Sequence, residues 1–205
     1  MRSTVGMISA LLCLVSAPAF AEHAGNYVTG KVGYYSPRSD DLPDLENGFS
    51  GELGFGRYLG RYLAAEVDAG YFETGSGFQT EIGAFTPTED VTIKVYPVTV
   101  TAKAVLPLQG GELYGGGGLG VYFAEARFNV RNSAGSESSS GKDTIYGGHI
   151  LFGGNYDISR KVFVGAEFRH TWTSGSFNGS FRGIPFVLRA NLDGYMTTFN
   201  LGYRF

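Results

Sequence analysis

Three residues late in the chain carry the functional groups of a hydrolytic triad: Glu167 a carboxylate, His170 an imidazole and Ser174 a hydroxyl. Nucleophilic catalysis requires these groups to lie within hydrogen-bond reach of one another. On a β-strand, His170 and Ser174 would lie about 13 Å apart, because the chain rises roughly 3.3 Å per residue. Contact would need a sharp turn at Gly175, and Trp172 occupies the position midway between them. We therefore expect the protein not to be an enzyme.

The residue types also give little support to metal or cofactor chemistry. His23, His149 and His170 are not at ligand spacing, and the only cysteine is Cys13. A net charge of −3 provides no basic surface for nucleic acid. One acidic cluster could attract Ca²⁺ or lipid-bridging cations, but we interpret it as a solvated loop. Its residues are Asp40, Asp41, Asp44 and Glu46. The sequence predicts no metal, no cofactor and no nucleic-acid partner.

Residues 1–21 have the organisation of a secretory signal peptide. A positively charged start is followed by an apolar run over residues 5–15, and Ala19 and Ala21 form a small-x-small cleavage site. We expect cleavage after Ala21 and one mature domain over residues 22–205. After that point no stretch approaches the ~20 apolar residues that a transmembrane helix needs.

Alternation of apolar and polar residues with period two runs through the rest of the chain and predicts β-strands. Glycine is abundant, with 32 residues, and it disfavours helices by about 1 kcal/mol per residue relative to alanine. We expect eight strands, over residues 26–35, 49–56, 63–72, 91–105, 113–128, 144–156, 162–172 and 195–205. In the fourth strand the apolar phase changes at Pro97, which predicts a bulge or kink.

The predicted connections alternate between long and short: 36–48, 59–62, 73–90, 107–112, 129–143, 157–161 and 173–193. Short turns at one end and long loops at the other are typical of outer-membrane barrels. The sequence therefore predicts an all-β fold, an eight-stranded antiparallel up-and-down transmembrane β-barrel. The last loop is unusually apolar, and we expect it either to cover the barrel mouth or to extend the last two strands.

One face of the predicted strands carries charges of both signs. They are Lys31, Glu52, Glu66, Asp68, Lys103, Glu167 and Arg169. A soluble barrel would turn this face outward, whereas a membrane barrel would enclose it. Opposite charges can pair inside a narrow lumen, and tyrosine and phenylalanine crowd the strand ends as interfacial girdles do. These features favour the membrane barrel, with a lumen plugged by ion pairs.

The terminal segment Leu201-Gly202-Tyr203-Arg204-Phe205 resembles the assembly signal of outer-membrane barrels. Its apolar members, with one strand residue before them, are Phe199, Leu201, Tyr203 and Phe205. Residues 33–37, 97–103 and 114–122 resemble small barrels of the OmpW and OmpA-transmembrane-domain type. The resemblance implies an outer-membrane location, assembly by the barrel-insertion machinery, and contact with outer-membrane lipid and lipopolysaccharide.

Function is less constrained than fold, because this group of barrels includes proteins with several roles. Our leading hypothesis is a non-enzymatic barrel that spans the outer membrane and presents four extracellular loops. The first alternative is a narrow channel for small or apolar solutes, and the second is an adhesin or binding platform with an unknown ligand at its loops.

Overall fold

A computed structural model of the protein describes residues 25–38, 46–79, 88–132, 135–174, 176–181, 184–189 and 192–205. The predicted signal segment, with Ala19 and Ala21, lies outside these residues. Within them, no helix is long and apolar enough to cross a bilayer.

Ten β-strands are formed by the described residues. They are β1 (Asn26–Pro37), β2 (Gly48–Tyr58), β3 (Leu63–Gln79), β4 (Thr88–Leu108), β5 (Gly111–Asn132), β6 (Gly135–Asp157), β7 (Val162–Ser174), β8 (Ser176–Phe181), β9 (Ile184–Arg189) and β10 (Gly194–Arg204). Strands β1 to β7 and β10 form a closed barrel in which each strand pairs with its neighbour in antiparallel orientation. The predicted all-β, eight-stranded antiparallel barrel is confirmed.

Two of the predicted long loops are largely strand. The β3–β4 ladder continues to the pair Gln79 and Thr88, and the β5–β6 ladder continues to Asn132 and Gly135. The predicted loop boundaries 73–90 and 129–143 are therefore wrong. A continued ladder pairs backbone N–H and C=O groups that a loop would leave to water, which explains why the strands extend past the apolar band.

The predicted loop 173–193 holds a hairpin in line with the last two barrel strands. Strands β8 and β9 pair with each other in a two-stranded sheet, whereas the β7–β10 ladder ends at Thr171 and Gly194. The pairs Thr171–Gly194 and Ser176–Arg189 keep one register, so the hairpin continues the last two barrel strands after an interruption of the ladder, which was one of the two expectations. Its return to the barrel places Leu192 in a buried apolar cluster.

Strand β4 passes through Pro97 without a bulge, contrary to the sequence prediction. The pairs Ala69–Val98 and Phe72–Val95 keep one register on both sides of the proline. Only the pairing opposite Pro97 and its neighbour is interrupted, because proline has no N–H to donate. The change of apolar phase has another cause, which is a change in the composition of the lumen along its length.

The barrel wall has an apolar outer face, as the alternation predicts. Large exposed side chains on this face include Val28, Val32, Leu53, Phe55, Val100, Leu119, Ile150, Phe152, Phe199 and Leu201. On the inner face, several aromatic rings lie over a glycine of the next strand. A Cβ on Gly202 would collide with the Phe163 ring, and one on Gly56 would collide with the Tyr27 ring. Glycine thus makes room for large side chains inside a narrow barrel.

Candidate functional site

Lys31 lies at the centre of a charged layer in the middle of the lumen. Its Nζ is 2.7 Å from Glu66 Oε1, 3.0 Å from Asp68 Oδ1 and 3.3 Å from Glu167 Oε1. Strand β1 aims Lys31 inward, β3 supplies two of the carboxylates, and β7 supplies Glu167 from the opposite wall. One ammonium group therefore joins three strands across the interior.

Lys103 is the second cation of the layer. Lys103 Nζ is 2.6 Å from Glu66 Oε1 and 3.3 Å from Glu167 Oε2, and it lies 4.5 Å from the centre of the Tyr114 ring. Every one of these distances is short enough for direct ionic or cation–π attraction. Glu66 and Glu167 are thus each shared by at least two cations.

Arg169 extends the layer toward β2. Its Nη1 lies 2.8 Å from Glu52 Oε1, and its Nη2 lies 2.9 Å from Glu167 Oε1 and 3.8 Å from Asp68 Oδ2. The structure therefore brings all seven charged residues named in the sequence analysis into one connected network of described side chains.

Burial determines how much free energy is lost when one member of this network is removed. All seven residues are at most 5% exposed, with Lys31 at 1%. Charges removed from water cost several kcal/mol each unless they are paired, so loss of one member leaves its partners uncompensated. A space of about 10 Å³ remains beside Lys31, Glu66 and Lys103, which is at the lower limit for a single water molecule, roughly 10–15 Å³.

Polar residues that the sequence analysis did not assign to this layer also belong to it. Thr101 Oγ1 lies 2.8 Å from His149 Nε2, and Asn200 Nδ2 donates to the hydroxyl of Tyr114 at 3.2 Å. That hydroxyl in turn donates to Glu167 Oε2 at 3.2 Å. Period-two alternation along β4, β5, β6 and β10 was the signal that could have placed these residues inside.

An apolar layer fills the lumen above the charged one, on the loop side. Its buried members are Tyr35, Phe72, Ile93, Val95, Tyr122, Ala124, Ile145, Leu192 and Met196. The Tyr35 and Phe72 rings are stacked with their centres 4.2 Å apart, and the Tyr35 hydroxyl donates to the Leu192 carbonyl at 2.9 Å. Solutes entering from the loop side would therefore meet packed hydrocarbon before they reach the charges.

The opposite end of the lumen is open. A vestibule of about 800 Å³ lies at the short-turn end, and its lining includes Tyr58, Arg61, Glu112, Asp157 and Arg204. Arg204 Nη1 lies 2.5 Å from Asp157 Oδ1, and its Nη2 lies 3.5 Å from Glu112 Oε1. The lumen thus has three levels: an open polar mouth, a closed charged layer and a closed apolar layer.

The four residues of the predicted C-terminal assembly signal lie on the outer wall. Phe199, Leu201, Tyr203 and Phe205 are all exposed there, between 42% and 70%. His170 also faces outward, where its Nδ1 lies 3.1 Å from the Gly194 carbonyl oxygen and its ring contacts Trp172 and Tyr195.

Comparison with known proteins gives the same architecture. The family model described as outer membrane protein beta-barrel domain matches residues 7–205. Neisserial surface protein A is 18% identical with a TM-score of 0.57, covering 90% of this chain and 100% of that one. OprG from Pseudomonas aeruginosa is 14% identical with a TM-score of 0.60, covering 88% and 96%. A major outer membrane protein from Thermus thermophilus is 9% identical with a TM-score of 0.59, covering 90% and 100%. No curated protein sequence matches the chain.

Proposed function

Because the chain belongs to the outer membrane protein beta-barrel family, we propose that it is a non-enzymatic barrel with a plugged lumen, which acts through the strands and loops that it presents outside the cell. The single observation that carries this proposal is the seven-residue ion network across the lumen. Every charge in it already has a partner of opposite sign in the protein, so the network gains nothing by opening to admit a solute.

The projecting hairpins support the second half of the proposal. On the loop side of the outward-facing Tyr96, strand β4 has eight further residues, 88–95. They span roughly 25 Å at about 3.3 Å per residue. The β5–β6 hairpin continues in the same way to Asn132 and Gly135. Outside the membrane, the ends of such hairpins present a surface to the surroundings.

Planar-bilayer recording tests the plugged lumen. Purified, refolded protein should give no stable ohmic conductance, and a large porin reconstituted in the same bilayers serves as the positive control. Continuous conductance at every insertion event would contradict the proposal, because an ion network that spans the lumen leaves no continuous water column.

A narrow channel for apolar solutes is the second candidate, and one observation favours it. The upper lumen is lined by hydrocarbon, including Ile93, Val95 and Ile145, rather than by the charges expected of a path for ions. Uptake of a radiolabelled medium-chain hydrocarbon into cells that express the protein would support this candidate. Uptake equal to that of cells carrying an empty vector would eliminate it.

The terminal segments have proposed roles in biogenesis. We expect cleavage after Ala21, which N-terminal sequencing of the protein purified from outer membranes would establish. We also propose that the outward stripe Phe199, Leu201, Tyr203 and Phe205 is recognised by the barrel-insertion machinery. Phe205→Ser should lower the yield of heat-modifiable barrel while export across the inner membrane continues, and an unchanged yield would exclude this role.

A further inference from the structure

One outward-facing group of residues joins a cation to a fixed set of rings across three neighbouring strands. The Arg38 Nη1 donates to the Tyr195 hydroxyl at 2.8 Å, and the guanidinium lies 5.7 Å from the centre of that ring. The Tyr195 ring stacks on His170 at 4.5 Å, and the His170 ring meets the edge of Trp172 at 4.3 Å. We refer to these four residues as the Arg38 patch.

The height of the patch on the barrel places it at the outer surface of the membrane. Tyr195 lies ten residues before Phe205, which marks the short-turn end of β10. At about 3.3 Å per residue and a strand tilt of roughly 40°, this separation is about 25 Å along the membrane normal. The apolar band of outer-membrane barrels is also about 25 Å tall. Arg38, one residue beyond the end of β1, therefore lies at the level of the headgroups.

We propose that the Arg38 patch binds a phosphate group of the phosphorylated glycolipid in the outer leaflet. A guanidinium matches phosphate with two parallel hydrogen bonds, and Arg38 is held in place by Tyr195 before the lipid arrives, which reduces the loss of side-chain freedom on binding. Trp172 and Tyr195 supply apolar ring surface at the depth where the sugars and acyl chains of the lipid meet.

The neighbouring wall at the same height shows why the anion should prefer this side. On the described parts of β4 and β6, two cations lie beside carboxylates: Lys94 Nζ is 3.6 Å from Glu73 Oε2, and Lys142 Nζ is 3.9 Å from Glu125 Oε2. A phosphate approaching those lysines would also meet negative charge. Within the part of the chain that the structure describes, the Arg38 side chain instead contacts a hydroxyl and an aromatic ring, both of Tyr195.

The test uses a reporter already present in the chain, because Trp172 is its only tryptophan. Protein folded in phosphatidylcholine vesicles is titrated with lipopolysaccharide while the Trp172 emission is followed. The wild type should show a saturable change in emission. Arg38→Ala should bind at least about tenfold more weakly, as expected for one charge-assisted hydrogen-bonded contact, and Arg38→Lys should fall between the two.

Two controls separate phosphate recognition from general attraction to lipid. Arg160→Ala removes the same charge from the turn at the opposite end of the barrel, and it should titrate like the wild type. Chemically dephosphorylated lipopolysaccharide should bind like the Arg38→Ala variant. Should Arg38→Ala fail to fold, Tyr195→Phe removes only the hydroxyl that holds Arg38 and should weaken binding severalfold. Equal affinity of the wild type for both lipids, or equal affinity of wild type and folded Arg38 variants, would overturn the proposal.

Discussion

The middle and the upper end of the lumen are filled in two different ways. In the middle, four carboxylates and three cations are held together by ion pairs between opposite walls. At the upper end, stacked rings and aliphatic side chains fill the same cross-section mainly by packing. The charged layer depends on every partner being present, whereas the apolar layer loses only the contacts of the group removed. This difference determines how each layer should respond to substitution.

The largest effect is expected from removing the central cation. Lys31→Met keeps most of the side-chain volume but leaves Glu66, Asp68 and Glu167 without their shared ammonium group. Breaking a buried ion network in this way should lower the free energy of unfolding by about 3–5 kcal/mol. Urea unfolding of the protein inserted in vesicles measures this change in the free energy of unfolding.

The exposed Arg160 provides the matched control, because Arg160→Ala removes a solvated cation and should change the free energy of unfolding by less than about 0.5 kcal/mol. If Lys31→Met is no more destabilising than this control, the network does not stabilise the barrel. In the double variant Lys31→Met/Glu66→Gln, the two losses should be less than additive, because Glu66 then carries no uncompensated charge.

A smaller loss is expected from the apolar layer. Ile145 is fully buried on β6, and Ile145→Ala should cost about 3 kcal/mol, from lost burial and the remaining cavity. Bilayer recordings of this variant should stay silent, because the charged layer beneath is intact. Conductance from Ile145→Ala would place the seal of the lumen in the apolar layer instead and would reverse the comparison.

The two layers differ in how well the sequence could predict them. The charged layer was predictable because Lys31, Glu66 and Glu167 alternate with apolar residues on strands of regular phase. The apolar layer was not, because Ile93 and Val95 occupy the inward positions that lower down hold polar residues. Their inward placement produces the change of phase that the sequence analysis attributed to a bulge at Pro97.

The loops and the long-range contacts were beyond sequence patterns for a different reason. Period-two alternation indicates a strand, but it does not show where the membrane ends and the strand continues into water, so the extensions to Gln79 and Asn132 were assigned to loops. Leu192 enters the lumen from a segment with no strand periodicity. Only the closed barrel places it beside Tyr35, 157 positions away in the sequence.

The glycines of the inner wall allow a third test, which acts on space rather than on charge or hydrocarbon. A side chain on Gly202 would collide with the Phe163 ring, and Gly202→Val should therefore cost about 2 kcal/mol through overpacking. A Cβ on Gly60 would meet open space, so Gly60→Ala is the control and should be nearly neutral. A Phe163→Ala substitution in the Gly202→Val background should recover part of the loss. Without any recovery, the collision with this ring is not the cause.

The smallest effect is expected at the open mouth of the barrel, where the same kinds of charge lie in contact with solvent. Arg204 pairs with Asp157 at 2.5 Å and with Glu112 at 3.5 Å, but its side chain is 21% exposed and borders the vestibule. Water reduces the attraction between these charges, so Arg204→Ala should cost no more than about 1 kcal/mol.

Salt distinguishes this site from the charged layer. At about 1 M salt the screening length falls to about 3 Å, and the difference between wild type and Arg204→Ala should shrink. The loss caused by Lys31→Met should stay constant, because ions do not reach a closed layer. If both losses shrink equally with salt, the charged layer is open to solvent and the lumen is not plugged.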